Sequence, residues 1–141
     1  MLPKWHILLG AIFAGVLLEL FPKIGWGGAL VIFLSSVFID MDHYSWYVVK
    51  KRDWNLKKSY IWHIELTKRG DKIIFLHVLH TIEVLILLGI FSYYSLWIFY
   101  VFLGFVFHSV FDFAEMAIKR ELWCREFFFI NWLRKLFFPK K

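Results

Sequence analysis

Apolar residues occupy four long runs of the chain, at residues 5–21, 25–39, 73–91 and 96–118. A helix that crosses the hydrocarbon core of a bilayer needs about 20 predominantly apolar residues. The third and fourth runs reach this length and the first approaches it. The second reaches it only if residues 40–43 also lie at membrane depth, facing protein. The pattern predicts an all-α integral membrane bundle of four transmembrane helices in residues 1–120, with spans at about 5–22, 25–43, 73–92 and 96–118.

Composition supports a lipid environment for these runs. The 141-residue chain is 60% hydrophobic and 22% aromatic, more than a soluble domain of this length normally buries. The first run could imitate a signal peptide, with Ala11 and Ala14 as a weak cleavage pattern, but it continues past them and is interpreted as a retained helix. Cys124 is the one cysteine, which excludes an intrachain disulfide and a thiolate metal cage.

The distribution of basic residues predicts the orientation of the bundle. Four spans place the N-terminus, the loop 44–72 and the tail 121–141 on one side. Of the 17 Lys and Arg residues, all but Lys23 fall on that side. The positive-inside rule then predicts a multi-pass protein of the inner membrane with both termini in the cytoplasm.

The loop and the tail mix aromatic and basic residues, notably in residues 53–69 and 121–138. Such segments are typical of amphipathic helices at the cytoplasmic interface, where they bind anionic lipid headgroups. Because topology accounts for the basic residues, no nucleic-acid partner is expected. The oligomeric state is left open.

Ionisable residues inside apolar helices are costly, and here they gather at one end. On the third predicted helix, His77, His80 and Glu83 share one broad face of about 120°. On the fourth predicted helix, His108, Asp112 and Glu115 share a narrower stripe of roughly 60°. The first two spans add four further groups at the same cytoplasmic end, His6, Asp40, Asp42 and His43. Each span is therefore expected to supply imidazole or carboxylate to one site.

A mixture of imidazole and carboxylate without thiolate suits a divalent metal, with zinc favoured over manganese, iron or magnesium. The candidates are numerous enough for one to three ions, and two ions bridged by an aspartate would suit attack on a phosphoester. The expected metal ligands are His6, Asp40, His43, His77, His80, His108 and Asp112. Asp42 or Glu83 is expected to act as the general base.

The order of these motifs resembles the YdjM-like family of small inner-membrane proteins, which are described as metal-dependent hydrolases. The resemblance lies in His6, residues 39–43, His80-Thr81 and residues 108–112. It implies metal-binding or catalytic roles for His6, Asp40, Asp42, His43, His80, His108 and Asp112. The family's His-Arg-Gly-x-Thr-His-Ser signature is replaced here by residues 77–81, His-Val-Leu-His-Thr, so that Arg52 or Lys72 would have to replace its arginine.

Several alternatives stay open at the level of sequence. The position of His43 is almost equally consistent with a histidine that faces lipid headgroups. His63 is interpreted as an interfacial residue rather than a ligand. Glu83 is consistent with a ligand, a supporting acid or a neutral, hydrogen-bonded side chain. The leading hypothesis is a membrane-embedded metal-dependent hydrolase of a phosphoester or lipid-linked amphiphile. The alternatives are a metal-ion or proton transporter and a non-catalytic scaffold stabilised by metal.

Overall fold

The computed structural model describes residues 3–69, 75–120, 122 and 125–138. Within these ranges the chain forms seven α-helices: α1 (Pro3–Leu20), α2 (Gly25–Phe38), α3 (Met41–Lys51), α4 (Leu56–Arg69), α5 (Ile82–Ser92), α6 (Leu96–Ile118) and α7 (Phe129–Phe137). Two short strands, β1 (Phe75–Leu76) and β2 (Arg125–Glu126), pair in parallel. The predicted all-helical class is confirmed.

Helices α1, α2, α6 and α5 pack side by side in that spatial order. Ala14, Ile32 and Tyr100 are buried at the centre, from α1, α2 and α6 respectively. Small residues let α6 approach α2 closely: a Cβ placed on Gly104 would lie 2.6 Å from the carbonyl oxygen of Ile32. Contacts of this kind are characteristic of helices that pack within a bilayer.

Among the described residues, two helical stretches are long and apolar enough to cross a membrane, judged by length and composition alone. One is Leu96–Ile118, whose bounds match the prediction, and the other is Pro22–Lys51. The second stretch runs eight residues further than predicted and bends at a turn formed by Ile39 and Asp40. This turn sets Asp40 between α2 and α3, where its side chain faces the other helices.

The third predicted span differs from the structure. A continuous helix was expected over 73–92, but regular helix begins only at Ile82, after β1 and a single 3-10 turn at Val78–His80. Two backbone donors of this segment bind distant acceptors: Leu79 N–H donates to Asp42 Oδ2 (3.1 Å) and Ile82 N–H to the carbonyl of Phe127 (3.0 Å). His77, His80 and Glu83 therefore do not share one helix face.

The amphipathic segments predicted in the loop and the tail contain helices α4 and α7. Residues 70–74, where the third span was expected to begin, include Lys72 and lie outside the described residues, as do residues 121, 123, 124 and 139–141 of the tail.

Candidate metal centre

The predicted ligands converge at one end of the bundle from separate elements. His6 lies in the first turn of α1, Asp40 at the α2–α3 turn, and Asp42 and His43 in α3. His77 precedes and His80 ends the 3-10 turn before α5, and His108 and Asp112 lie one turn apart on α6. Apart from His6, they form two groups, each with ligand atoms within 4.8 Å of one another.

The first group consists of Asp40, His80, His108 and Asp112. The Nε2 atoms of His80 and His108 lie 3.2 Å apart. Asp40 Oδ1 lies 3.6 Å from the first and 3.4 Å from the second. Asp112 Oδ2 lies 3.9 Å and 3.6 Å from the same two nitrogens. Four potential donor atoms thus surround one small volume.

Hydrogen bonds on the far side of each ring fix the tautomers. His108 Nδ1 lies 2.7 Å from the carbonyl oxygen of Ser36, and His80 Nδ1 lies 3.0 Å from Asp42 Oδ2. Both partners only accept, so Nδ1 carries the proton in each ring and donates it. When both rings are neutral, each Nε2 then presents its lone pair towards the other. Metal-binding histidines are characteristically oriented in this way, by a carbonyl or carboxylate on the opposite nitrogen.

His6 lies beside the first group. Its ring stacks on that of His108 with centroids 4.1 Å apart, and its Nε2 lies 3.3 Å from Asp112 Oδ1. This nitrogen is buried and has no hydrogen-bond partner among the described residues. A buried nitrogen in this condition is costly unless something binds it.

The second group consists of Asp42, His43 and His77. Asp42 Oδ1 lies 3.7 Å from His77 Nδ1, and the ring centroids of His43 and His77 lie 3.6 Å apart. Asp40 joins the two groups, because its Oδ1 is also 3.5 Å from His43 Nε2. The aspartate expected to bridge two ions therefore has a concrete candidate in Asp40.

Accessibility differs sharply across the cluster. The side chains of His6, His80, His108 and Asp112 are almost fully buried, whereas those of Asp40 and His43 are 29% and 28% exposed. A molecule from outside would therefore reach the cluster over Asp40 and His43.

The donor set fits a divalent cation. Two imidazole lone pairs and two carboxylates facing one volume repel one another unless positive charge lies between them. A single shared proton would satisfy one pair, whereas a metal ion satisfies all of the donors together. Imidazole and carboxylate are ligands that zinc, manganese and iron accept.

Asp42 has contacts that favour an orienting role. Its Oδ2 accepts hydrogen bonds from Leu79 N–H and from His80 Nδ1–H, so that it holds both the backbone and the ring of the segment before α5. The other oxygen, Oδ1, is buried beside His77. A carboxylate that accepts a hydrogen bond from a metal-binding histidine raises the basicity of that histidine. The general-base role predicted for Asp42 stays a prediction.

Glu83 is engaged at the start of α7. Its two carboxylate oxygens accept hydrogen bonds from Phe129 N–H (3.0 Å) and Ile130 N–H (3.2 Å). These are the first two residues of α7, whose N–H groups have no partner within the helix. Its contacts therefore favour the docking of the C-terminal helix over the general-base role predicted from sequence.

Glu83→Ala should loosen α7 by about 1–2 kcal/mol, because two hydrogen bonds to a helix N-terminus are lost. The measurement is the rate of limited proteolysis within residues 125–138. Glu115→Gln is the matched control, since it removes a carboxylate that pairs with Lys119 (2.9 Å) on the surface of α6. We expect faster cleavage in Glu83→Ala alone and unchanged metal content in both; loss of metal in Glu83→Ala would instead make Glu83 part of the metal centre.

Two chemical groups beside the predicted ligands, the Ser36 carbonyl and the His63 ring, were not identified as parts of the site from the sequence. The Ser36 carbonyl orients His108, and the pair Ser35-Ser36 within an apolar helix was the available signal. His63 on α4 lies against His43, with ring centroids 5.5 Å apart. Burial lowers the pKa of His63 below its ordinary value. The alternation of aromatic and polar residues around it favoured an interfacial interpretation instead.

Comparison with protein-family models, with curated proteins and with solved structures gives no match to this chain.

Proposed function

We propose that this chain is a multi-pass inner-membrane hydrolase that uses divalent metal ions, zinc in first place, to cleave a phosphoester or lipid-linked amphiphile at the cytoplasmic surface. The observation that carries the proposal is the pair of donor groups joined by Asp40. Two ions held side by side suit in-line displacement at phosphorus. Membership of the YdjM-like family belongs to the same proposal and rests on the order of the motifs.

The exterior of the helices supports a lipid environment. Large apolar side chains are exposed on α1, α5 and α6, among them Ile12 (53%), Ile86 (56%) and Val110 (58%). Apolar surface on several neighbouring helices is unusual for a soluble monomer and ordinary for helices in lipid. With the basic residues on one side, four spans with cytoplasmic termini account for this surface best.

Each residue of the site would contribute to catalysis according to its position. Bound metal would lower the pKa of a coordinated water and stabilise negative charge on phosphoryl oxygens. Asp40 and His43, the exposed members, lie where the substrate would meet the cluster. Ser36 and Asp42 hold the rings of His108 and His80 in the orientation that presents Nε2. The buried side chains around them exclude bulk water.

A groove beside the cluster suits the remainder of an anionic headgroup. It lies between α3 and α4 and is floored by Tyr47 and Trp62. Its charged lining consists of Lys51, of Lys58, which pairs with Asp53, and of Glu65. His43, Tyr47 and Lys51 follow one another at four-residue intervals along α3, so the groove starts next to the cluster. Lys51 Nζ lies 5.9 Å from the centre of the Trp62 ring. Such ammonium groups attract phosphate near the membrane surface.

The test is phosphoester turnover by detergent-purified protein reloaded with zinc or manganese. Aryl phosphomonoesters and phosphodiesters and lipid phosphates in mixed micelles serve as substrates. Asp112→Asn should lower turnover at least about 10³-fold, because losing a metal contribution of several kcal/mol costs tenfold for each 1.36 kcal/mol. Glu115→Gln is the control for charge loss on the same helix. Equal turnover by Asp112→Asn, or none by metal-loaded wild type on any substrate class, would contradict the proposal.

A further inference from the structure

We propose that helix α7 binds anionic phospholipid through the side that carries Ile130, Arg134 and Phe137, and that this contact holds the segment before α5, with His77 and His80, in place. The inference rests on the membrane insertion in the proposed function and is independent of hydrolysis. It gives the C-terminal helix a partner and connects that partner to the metal centre.

The first observation is the exposed side of α7. Ile130, Arg134 and Phe137 are spaced by four and three residues, so their side chains form one stripe along the helix. Ile130 and Phe137 are each 69% exposed, and Arg134 between them is exposed as well. Trp132, on the opposite side, is partly buried. An open apolar stripe that carries a cationic side chain is typical of a helix lying in the membrane interface.

The second observation is the surface from which the chain enters α7. The ring of Phe127 packs against Phe113 of α6, with centroids 6.0 Å apart, and its carbonyl accepts a hydrogen bond from Ile82 N–H of α5 (3.0 Å). Phe113 is 52% exposed and Ile82 is 37% exposed, so both belong to the apolar exterior of these helices. That exterior faces lipid in the proposed function, and α7 therefore begins at the lipid-facing surface.

The third observation is charge. Residues 119–138 include five basic and two acidic residues. One of the acids, Glu126, is buried and accepts hydrogen bonds from Asn131 Nδ2 (2.6 Å) and Lys135 Nζ, so its charge is compensated within the tail. Anionic headgroups attract a basic segment of this kind. A second copy of the chain would bring the same positive charge to the contact and be repelled, which favours lipid as the partner.

The tail also holds both ends of the segment that carries His77 and His80. Before these histidines, β2 pairs with β1, which ends one residue ahead of His77. After them, Ile82 N–H donates to the Phe127 carbonyl, and Glu83 accepts hydrogen bonds from the first two N–H groups of α7. Because these contacts lie on both sides of the ligands, fixing α7 on lipid should also restrict local opening of the segment.

The first measurement tests the lipid contact, on the full chain in nanodiscs of phosphatidylcholine alone or mixed with phosphatidylglycerol. A bimane label on Ile130→Cys, with Cys124→Ser removing the native thiol, reports contact through quenching by lipids brominated on their acyl chains. We expect quenching, and stronger quenching when phosphatidylglycerol is present. A label that stays unquenched in both lipids overturns the docking, and equal quenching in both overturns the preference for anionic headgroups.

The second measurement tests the connection to the ligands, by amide hydrogen exchange of residues 75–82 in the same nanodiscs. Phosphatidylglycerol should slow this exchange at least about fivefold, because a docked tail opposes local opening. Arg134→Glu should abolish the slowing. Lys57→Glu is the matched control, since it makes the same change of charge at an exposed lysine of α4, and it should retain the slowing.

The outcomes are separable from those of the hydrolase test. Exchange that does not respond to phosphatidylglycerol, although the label is quenched, overturns the connection between the tail and the ligands. An equal loss of the response in Arg134→Glu and Lys57→Glu overturns the assignment to α7. Neither measurement requires turnover, so a protein that hydrolyses no phosphoester still tests this inference.

Discussion

Asp40→Asn should release both metal ions, whereas Asp112→Asn should release one. Asp40 Oδ1 lies within 3.4–3.6 Å of the Nε2 atoms of His43, His80 and His108, which belong to both groups. Asp112 lies near His6, His80 and His108 and so serves the first group. The asparagine variants keep the shape of the side chain and remove its charge, which isolates the effect of the carboxylate.

The size of the effect follows from the charge that is lost. A neutral amide is a poor ligand for zinc compared with a carboxylate, and removing even a supporting residue of a metal site costs 10–100-fold in affinity. Loss of a directly binding carboxylate should exceed about 100-fold, enough to strip the ion during dialysis. The side-chain N–H of the new asparagine would also donate a hydrogen bond to a nearby histidine Nε2. The cluster can therefore persist without metal as a hydrogen-bonded network.

The measurement is metal stoichiometry by mass spectrometry after dialysis, with wild type and Asp53→Asn in parallel. Asp53 pairs with Lys58 (3.0 Å) on the connection between α3 and α4 and lies outside both groups. We expect two ions in wild type and Asp53→Asn, one in Asp112→Asn and none in Asp40→Asn. Retention of one ion by Asp40→Asn would contradict its bridging position and leave two independent sites.

The convergence of the ligands could be predicted because it depends on topology and depth alone. Once the apolar runs and the basic loops set the direction of each helix, His6, Asp40, His108 and Asp112 had to lie at the same end. In the structure Asp40, His108 and Asp112 lie together with His80, and the ring of His6 stacks on that of His108. The four-residue spacing of His108 and Asp112 within a long helix was equally accessible from sequence.

The segment before α5 could not be predicted because its conformation is determined by distant partners. Residues 75–80 carry a helical pattern of apolar residues, yet they pair with β2 and donate Leu79 N–H to Asp42, 37 positions earlier. Glu83 similarly meets α7, 46 positions later. Periodicity records local preference only, and here tertiary hydrogen bonds outweigh it.

His63 illustrates a different limit. It lies on an amphipathic helix between residues that suit a membrane interface, and sequence alone does not tell which side of that helix faces α3. The orientation follows from the packing of Trp62 on Tyr47 and from the Ser59 carbonyl. Residues on amphipathic helices near a predicted metal cluster therefore need coordinates before they can be assigned to lipid or to the site.

Gly104→Ala should destabilise the bundle by about 1–3 kcal/mol, the usual cost of inserting a methyl group into a tightly packed interface. A Cβ at this position would lie 2.6 Å from Ile32 O and 2.9 Å from Ser36 N. Both atoms belong to the backbone of α2, so the clash cannot be relieved by turning a side chain, and α6 must move away from α2. The gain in helix propensity from glycine to alanine, about 1 kcal/mol, opposes this cost but does not cancel it.

The displacement should also reach the metal centre. Gly104 lies one turn before His108, whose Nδ1 donates to the carbonyl of Ser36 (2.7 Å) across the same contact between α6 and α2. Thermal unfolding in detergent, with and without zinc, measures the two effects together. Gly15→Ala is the matched control, because nothing lies within 4 Å of its Cβ position on α1. We expect Gly15→Ala to keep or raise stability and to retain metal, whereas Gly104→Ala lowers the unfolding temperature and reduces the stabilisation by zinc. If the two variants behaved alike, the close approach of α6 to α2 would not be what holds His108 in place.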